Sequence, residues 1–202
     1  RMYALPAPGE ELPTGRLLRT TPIYDKLRNQ GCVSTVAFGW ERPKWFSTDG
    51  REEDYSFRRN NLFDLIGKEC MAVREAVGVL DLSSFAKFDV TRVDAEAHLN
   101  RLYANRVAKK DGGIVLAHML SPEGRILSES TITRLSKDRY YVLSGADWEI
   151  QDMYRLMAGI AEGDDVKVEN VTDALGVLVV AGPRSRDVLT ALTDVDLTNQ
   201  DV

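Results

Sequence analysis

The sequence is short of the residues that usually announce a reactive centre. Among 202 residues there are two cysteines, Cys32 and Cys70, and two histidines, His98 and His118. Neither cysteine lies in a CxxC pair or beside a histidine, so the ligand spacing of a structural zinc site is missing and no metal site is expected. The same isolation reads as two reduced, partly buried thiols, as in a reducing compartment. No apolar run approaches the roughly 20 residues of a membrane span, so no membrane partner is expected. Positive charge is scarce as well. Lys and Arg number 26 against 31 Asp and Glu, and the net charge of −5 argues against a nucleic-acid partner. GxGxxG, the phosphate-binding GxxxxGK, HExxH and GxSxG are all absent. Flavin or nicotinamide binding therefore has no place in this chain, and neither histidine stands near a nucleophile in a recognisable turn.

What is present is ordinary for a globular protein: 44% hydrophobic and 28% charged residues, with length enough to bury a core. Arg1-Met2-Tyr3-Ala4 carries neither an initiator Met nor a signal pattern, and reads as the interior of something longer. Residues 1–20, with Pro6, Pro8, Gly9, Pro13 and Gly15, read as a linker that wraps over a neighbouring unit. Thr21-Pro22 and Gly31 bracket a short helix over about 22–30. The run Phe38 to Phe46 holds Trp40 and Trp45, two of the three tryptophans, and reads as a packed loop anchoring one domain on another.

Helical spacing then marks Leu62 to Val77, closed by Gly78. Strands are predicted at 79–82, 85–90, 114–120, 126–135, 139–145, 166–171 and 175–181. Helices are predicted at 94–104, from Trp148 to about Ala161, and from Pro183 to about Leu192. Hairpins with intervening helices define an α+β fold of mostly antiparallel sheet, the helices packed on one face. Asn199 to Val202 is polar and closes nothing, so the domain is expected to be cut there.

One segment is chemically unusual. Past the turn Ser121-Pro122-Glu123-Gly124, one strand face carries Ile126, Ser128, Ser130 and Ile132, and the other Leu127, Glu129, Thr131 and Thr133. Neither face is dry. An exposed antiparallel strand whose glutamate meets water would look like this. So would a strand lining a ligand cavity, with Glu129 desolvated among aliphatic and hydroxyl neighbours and suited to general acid or base work.

The runs Phe38-Gly39-Trp40-Glu41-Arg42-Pro43-Lys44-Trp45-Phe46, Phe57-Arg58-Arg59-Asn60 and Asp81-Leu82-Ser83-Ser84-Phe85-Ala86-Lys87-Phe88, with Met119 to Thr133, Val180-Ala181-Gly182-Pro183 and Arg19 to Tyr24, resemble the C-terminal region of dimethylglycine and sarcosine dehydrogenases. That region is similar to the aminomethyltransferase of glycine cleavage, the T-protein. The likeness covers nearly the whole chain. It implies the T-protein fold, truncated at its C-terminus. Residues 1–50 would then be a linker and anchoring segment from a preceding FAD domain, and 51–202 an incomplete folate-binding domain. The implied activity is capture by tetrahydrofolate of the one-carbon unit from an oxidised N-methyl amine, giving 5,10-methylenetetrahydrofolate. FAD would belong to the upstream domain and not to this chain.

Carried over residue by residue, the resemblance places the T-protein's catalytic Asp on Glu129, through Gly124-Arg125-Ile126-Leu127-Ser128-Glu129. Glu for Asp is a departure, one methylene longer. Phe85 stands where the family has a Met and could stack on an aromatic ring. Leu116 and Leu143 match apolar wall positions, Asn105 matches a family Asn, and Gly145 falls where the family often has an Asn. The acidic pterin clamp and the basic residue for the folate tail come later in the family, so weak or no folate binding by these 202 residues alone is expected. The same resemblance leaves open a free-standing aminomethyltransferase, or a non-catalytic subunit like the regulatory subunit of pyruvate dehydrogenase phosphatase. It implies the bacterial cytoplasm or the mitochondrial matrix.

Overall fold

The computed structural model describes residues 5–11 and 13–198. The sequence readings at Arg1-Met2-Tyr3-Ala4 and at Asn199 to Val202 lie outside them. The chain divides into two compact units, one made of residues up to Leu82 together with those from Leu178 onward, the other spanning Ser83–Val177.

The first unit starts with β1 (Arg19–Thr20), α1 (Tyr24–Asn29), β2 (Cys32–Ala37) and β3 (Trp40–Phe46). β3 is the centre of a three-stranded sheet, antiparallel to β2 and parallel to β1. The aromatic run expected as a loop is therefore largely a strand. Phe38 and Gly39, both at positive φ, turn the chain so that β2 and β3 pair directly. Trp45 then faces inward and packs with Leu62 and Leu65. The predicted linker is tied down as well, since Arg16 grips the buried Glu41 of β3 at 2.5 Å. α2 (Phe63–Glu75) and β4 (Gly78–Asp81) follow. β10 (Leu178–Ala181) pairs antiparallel with β4, and α5 (Ser185–Thr190) ends the described elements. Both cysteines are free thiols as expected, but only Cys32 is buried; Cys70 is exposed on α2.

The second unit holds β5 (Ala86–Thr91), α3 (Ala95–Leu102), β6 (Ile114–Leu120), β7 (Ile126–Ser136), β8 (Arg139–Ser144), α4 (Glu149–Ala158) and β9 (Lys167–Asn170). Its five strands run in the order β6-β7-β8-β5-β9, every pairing antiparallel. The fold is α+β and mostly antiparallel, as the sequence predicts. Side chains alternate across a sheet. Ala86, Phe88 and Val90 of β5, Ala117 and Met119 of β6, Ile132 of β7, and Tyr140 and Val142 of β8 form one buried layer. Ala95 and Leu99 of α3 and Leu156 of α4 cover it. Both helices sit on that face, so the opposite face of β6, β7 and β8 stays open.

The core face of β7 is polar where hydrophobic patterning would predict aliphatics. Ser128, Ser130 and Arg134 are buried there beside Ile132. Each polar side chain has a partner, which is what makes such burial tolerable. Tyr103 donates its hydroxyl to Ser130 Oγ at 3.0 Å, and Arg134 binds Glu96 and Asp111, each at 2.9 Å. Ser128 donates to Asp152 Oδ2 at 2.8 Å.

Candidate functional site

The open face of the second unit places the nominated residues together by register. Leu116 of β6 lies opposite Thr131 of β7, and Thr131 opposite Leu143 of β8, so three side chains form one row across the sheet. One pleat along, His118 stands directly opposite Glu129. Past the end of β8 the chain turns through Gly145 into a single 3-10 turn over Ala146–Trp148. This brings Asp147 and Trp148 back over the row.

The result is a cavity of about 290 Å3 lined by Phe85, Leu116, Glu129, Thr131, Leu143, Gly145, Asp147 and Trp148, with Ser130 and Ser144 at its edge. Five of the six residues nominated from sequence line it: Glu129, Phe85, Leu116, Leu143 and Gly145. Asn105 does not. It is exposed beside the strand, and its Oδ1 accepts the backbone N–H of His118 at 3.4 Å. A larger cavity, about 450 Å3, lies in the first unit among Leu27, Trp45, Val73 and Leu82; no nominated residue lines it.

Glu129 differs from expectation in one respect. Its side chain is 58% exposed and so is not enclosed among aliphatic and hydroxyl neighbours. It is instead held by a partner: His118 Nε2 lies 2.8 Å from Glu129 Oε2. His118, itself 29% exposed, was passed over in the sequence because no nucleophile stands near it. The hairpin register could have found it, since the Ser121–Gly124 turn folds β7 back on β6.

Two more wall residues were missed. Asp147 is exposed to the cavity, and among the described residues its carboxylate has no hydrogen-bond or ion-pair partner. Its Oδ1 lies 2.5 Å from where a Cβ on Gly145 would be. The carboxylate thus occupies the room that the glycine leaves. Trp148 gives the cavity a second aromatic wall beside Phe85, and the Arg155 guanidinium sits 5.4 Å from its ring. The signal for both was faint. They follow a strand by only a few residues and fall where helix capping would be the ordinary reading.

A further support lies on the core face. Asp152 of α4, 1% exposed, accepts from Ser128 and pairs with Arg155 at 3.1 Å; Arg155 also donates to the Leu127 carbonyl at 3.1 Å. The two residues that precede Glu129 are therefore clamped to α4. Chemically, the site offers two carboxylates, two aromatic faces, a leucine pair and hydroxyls, with no lysine or arginine in its lining. It suits a flat heterocycle that carries N–H donors. Among the described residues no group of His, Cys, Asp and Glu is disposed to hold a metal ion, and no helix is long and apolar enough to cross a membrane.

The second unit is thus antiparallel sheet backed by helices on one face, with a carboxylate-bearing cavity on the other. Comparison with known proteins gives the family: the GCVT N-terminal domain matches residues 23–202, and the chain belongs to it. Mouse mitochondrial dimethylglycine dehydrogenase is 39% identical over 196 residues, which is 95% of this chain and 22% of that protein. The mouse mitochondrial pyruvate dehydrogenase phosphatase regulatory subunit is 33% identical over 204 residues, 98% of this chain and 23% of that protein. The chain thus spans less than a quarter of the length of these relatives. Aminomethyltransferase T of the glycine cleavage system from Bartonella henselae shares the fold, with a TM-score of 0.68 at 22% identity over 86% of this chain and 43% of that one.

Proposed function

We propose that this chain is the front part of a tetrahydrofolate-binding domain in an FAD-dependent N-methylglycine dehydrogenase, where it transfers a one-carbon unit from the oxidised amine to give 5,10-methylenetetrahydrofolate. One observation carries the reading. The residues nominated by resemblance are scattered from Phe85 to Gly145 in sequence, yet five of the six line a single cavity. Its volume of about 290 Å3 is near the lower edge of the roughly 300–1,000 Å3 usual for small-ligand sites, which suits one ring system of a larger cofactor. On this reading Phe85 and Trp148 stack on the ring, while Leu116 and Leu143 exclude water from its edge. Residues 1–50 lead from the preceding flavin unit. Tetrahydrofolate, when bound, supplies the nitrogens that receive the one-carbon unit.

Glu129 accepts and returns a proton at those nitrogens, from the carboxylate oxygen that His118 leaves free. Positioned proton transfer contributes about 10²–10⁴-fold to rate. In the intact protein, Glu129→Gln should lower folate-dependent methylene transfer by about 100-fold and leave amine oxidation unchanged. Equal transfer by variant and parent would remove Glu129 from the mechanism.

The likeness to the phosphatase regulatory subunit favours a second reading, a domain of this fold without turnover. An intact protein that neither oxidises N-methyl amines nor consumes tetrahydrofolate would decide for it. The mitochondrial relatives favour the mitochondrial matrix, and a bacterial host would imply the cytoplasm.

A further inference from the structure

We infer that His118 is a positioning residue for Glu129: its imidazole Nε2–H holds one carboxylate oxygen and so presents the other to the cavity. The inference rests on the folate-transfer reading above and adds to it a residue that the sequence did not nominate.

An exposed glutamate on an open sheet face samples several rotamers, and ordering a long side chain of that kind costs conformational freedom. Glu129 is more than half exposed, so packing does not order it. Among the described residues, the one side chain hydrogen-bonded to its carboxylate is His118, with Nε2 2.8 Å from Oε2. A carboxylate only accepts hydrogen bonds, so the hydrogen between them belongs to Nε2.

His118 is fixed in turn from both sides. Its backbone lies in the β6–β7 ladder, directly opposite Glu129. On its other edge, the His118 carbonyl accepts the Ala104 N–H at 2.9 Å, and its N–H points to Asn105 Oδ1 at 3.4 Å. β6 is an edge strand of the five-stranded sheet, so these two bonds replace the missing neighbour at this residue. Asn105 then acts behind the cavity rather than in it: loop to His118 backbone, His118 ring to Glu129, Glu129 to ligand. A reactive group oriented by a second side chain, whose own backbone is anchored, suits the fixed geometry that catalysis generally needs.

The test uses two variants and two kinds of readout. In the intact protein, His118→Leu should lower kcat for methylene transfer about tenfold and change KM for tetrahydrofolate by less than twofold, with amine oxidation unaltered. His118→Gln, whose amide N–H can reach the same oxygen, should keep at least half of the parent kcat. In a Glu129→Gln background His118→Leu should add nothing, because it acts through the carboxylate. The second readout needs no turnover. A long-range proton–nitrogen spectrum of the intact protein, 15N-labelled at histidine, reports the ring nitrogens, and the signals lost in His118→Gln assign the His118 ring. The His118 ring should carry its hydrogen on Nε2, and Glu129→Ala should release that preference. A bare Nε2 in the parent, a His118→Leu kcat within twofold of the parent, or a His118→Gln loss equal to that of His118→Leu overturns the inference. An intact protein that transfers no methylene group to tetrahydrofolate sinks the folate-transfer reading itself; Glu129→Gln that leaves transfer intact removes Glu129 and His118 from it together; should only Glu129→Gln lower transfer, the positioning role alone fails.

Discussion

Arg155→Met is the sharpest test of how the second unit holds the strand that carries Glu129. In the parent, Asp152 is 1% exposed and has two partners, the Ser128 hydroxyl at 2.8 Å and Arg155 at 3.1 Å. Methionine replaces the aliphatic stem of Arg155 but not its guanidinium. Asp152 would keep a single neutral donor, the Leu127 carbonyl would lose its 3.1 Å donor, and Trp148 would lose the cation 5.4 Å from its ring. Stripping one partner from a buried ion pair costs about 3–5 kcal/mol, because the remaining charge is left uncompensated. Arg155 is 24% exposed, so water can enter the vacated position, and the lower end applies, about 3 kcal/mol. In urea this is a clear fall in midpoint at unchanged slope. By heat it is a fall in Tm of roughly 6–12 °C for a chain of this length. Arg155→Lys retains a charge but cannot fork between Asp152 and Leu127, and should lose about half as much. A cycle with Asp152→Asn should show strong coupling, since the neutral amide no longer needs the guanidinium. A loss below about 1 kcal/mol for Arg155→Met would refute the clamp and return Arg155 to the class of surface ion pairs.

Two further outcomes follow from other parts of the molecule. Gly182 has φ +122° and a Cβ there would meet the carbonyl oxygens of Val73 and Ala76 at 2.5 Å, both rigid backbone; Gly182→Ala should therefore destabilise the first unit by at least about 2 kcal/mol in urea titration. Burial pushes the pKa of His98 below its ordinary 6.5, and the Arg101 guanidinium adds to this. The unfolded chain then binds the proton more readily, so the stability tied to His98 is complete above about pH 6.5 and is lost as pH falls through the folded value. The urea midpoint should fall between pH 7 and 5.5 more steeply in the parent than in His98→Gln, and equal slopes would contradict it.

The sheet of the second unit was legible because its turns carry strong signals, even though β7 does not alternate cleanly between apolar and polar residues. Ser121-Pro122-Glu123-Gly124 fixes the β6–β7 hairpin, and the predicted 114–120 agrees with Ile114–Leu120. The three strands at the front were harder. β1 is two residues long, and it pairs in parallel, Arg19 with Trp40 and Thr20 with Glu41, which no local pattern encodes. β3 contains Pro43 and two tryptophans, a composition that reads as a loop until Phe38 and Gly39 are known to turn it back on β2. Glu129 itself was legible from resemblance and from the mixed faces of its strand. The exposure of its side chain was not, because whether a sheet face is open depends on which side α3 and α4 cover.

The departures from the family pattern are best understood together. Gly145 alone suggests a lost polar contact, since the resemblance puts an asparagine there. In three dimensions the glycine instead makes room for the Asp147 carboxylate, which fills the space over it and points into the same cavity. The polar function is thus available from a residue two positions on, with the charge of a carboxylate in place of an amide. With Glu129 also in the lining and no basic residue there, the site should repel carboxylates and phosphates and favour a ring edge bearing N–H donors. On the proposed reading this sets the orientation of the cofactor. Its donor-rich ring enters between Phe85 and Trp148, and its acidic tail must leave by a route that neither carboxylate faces.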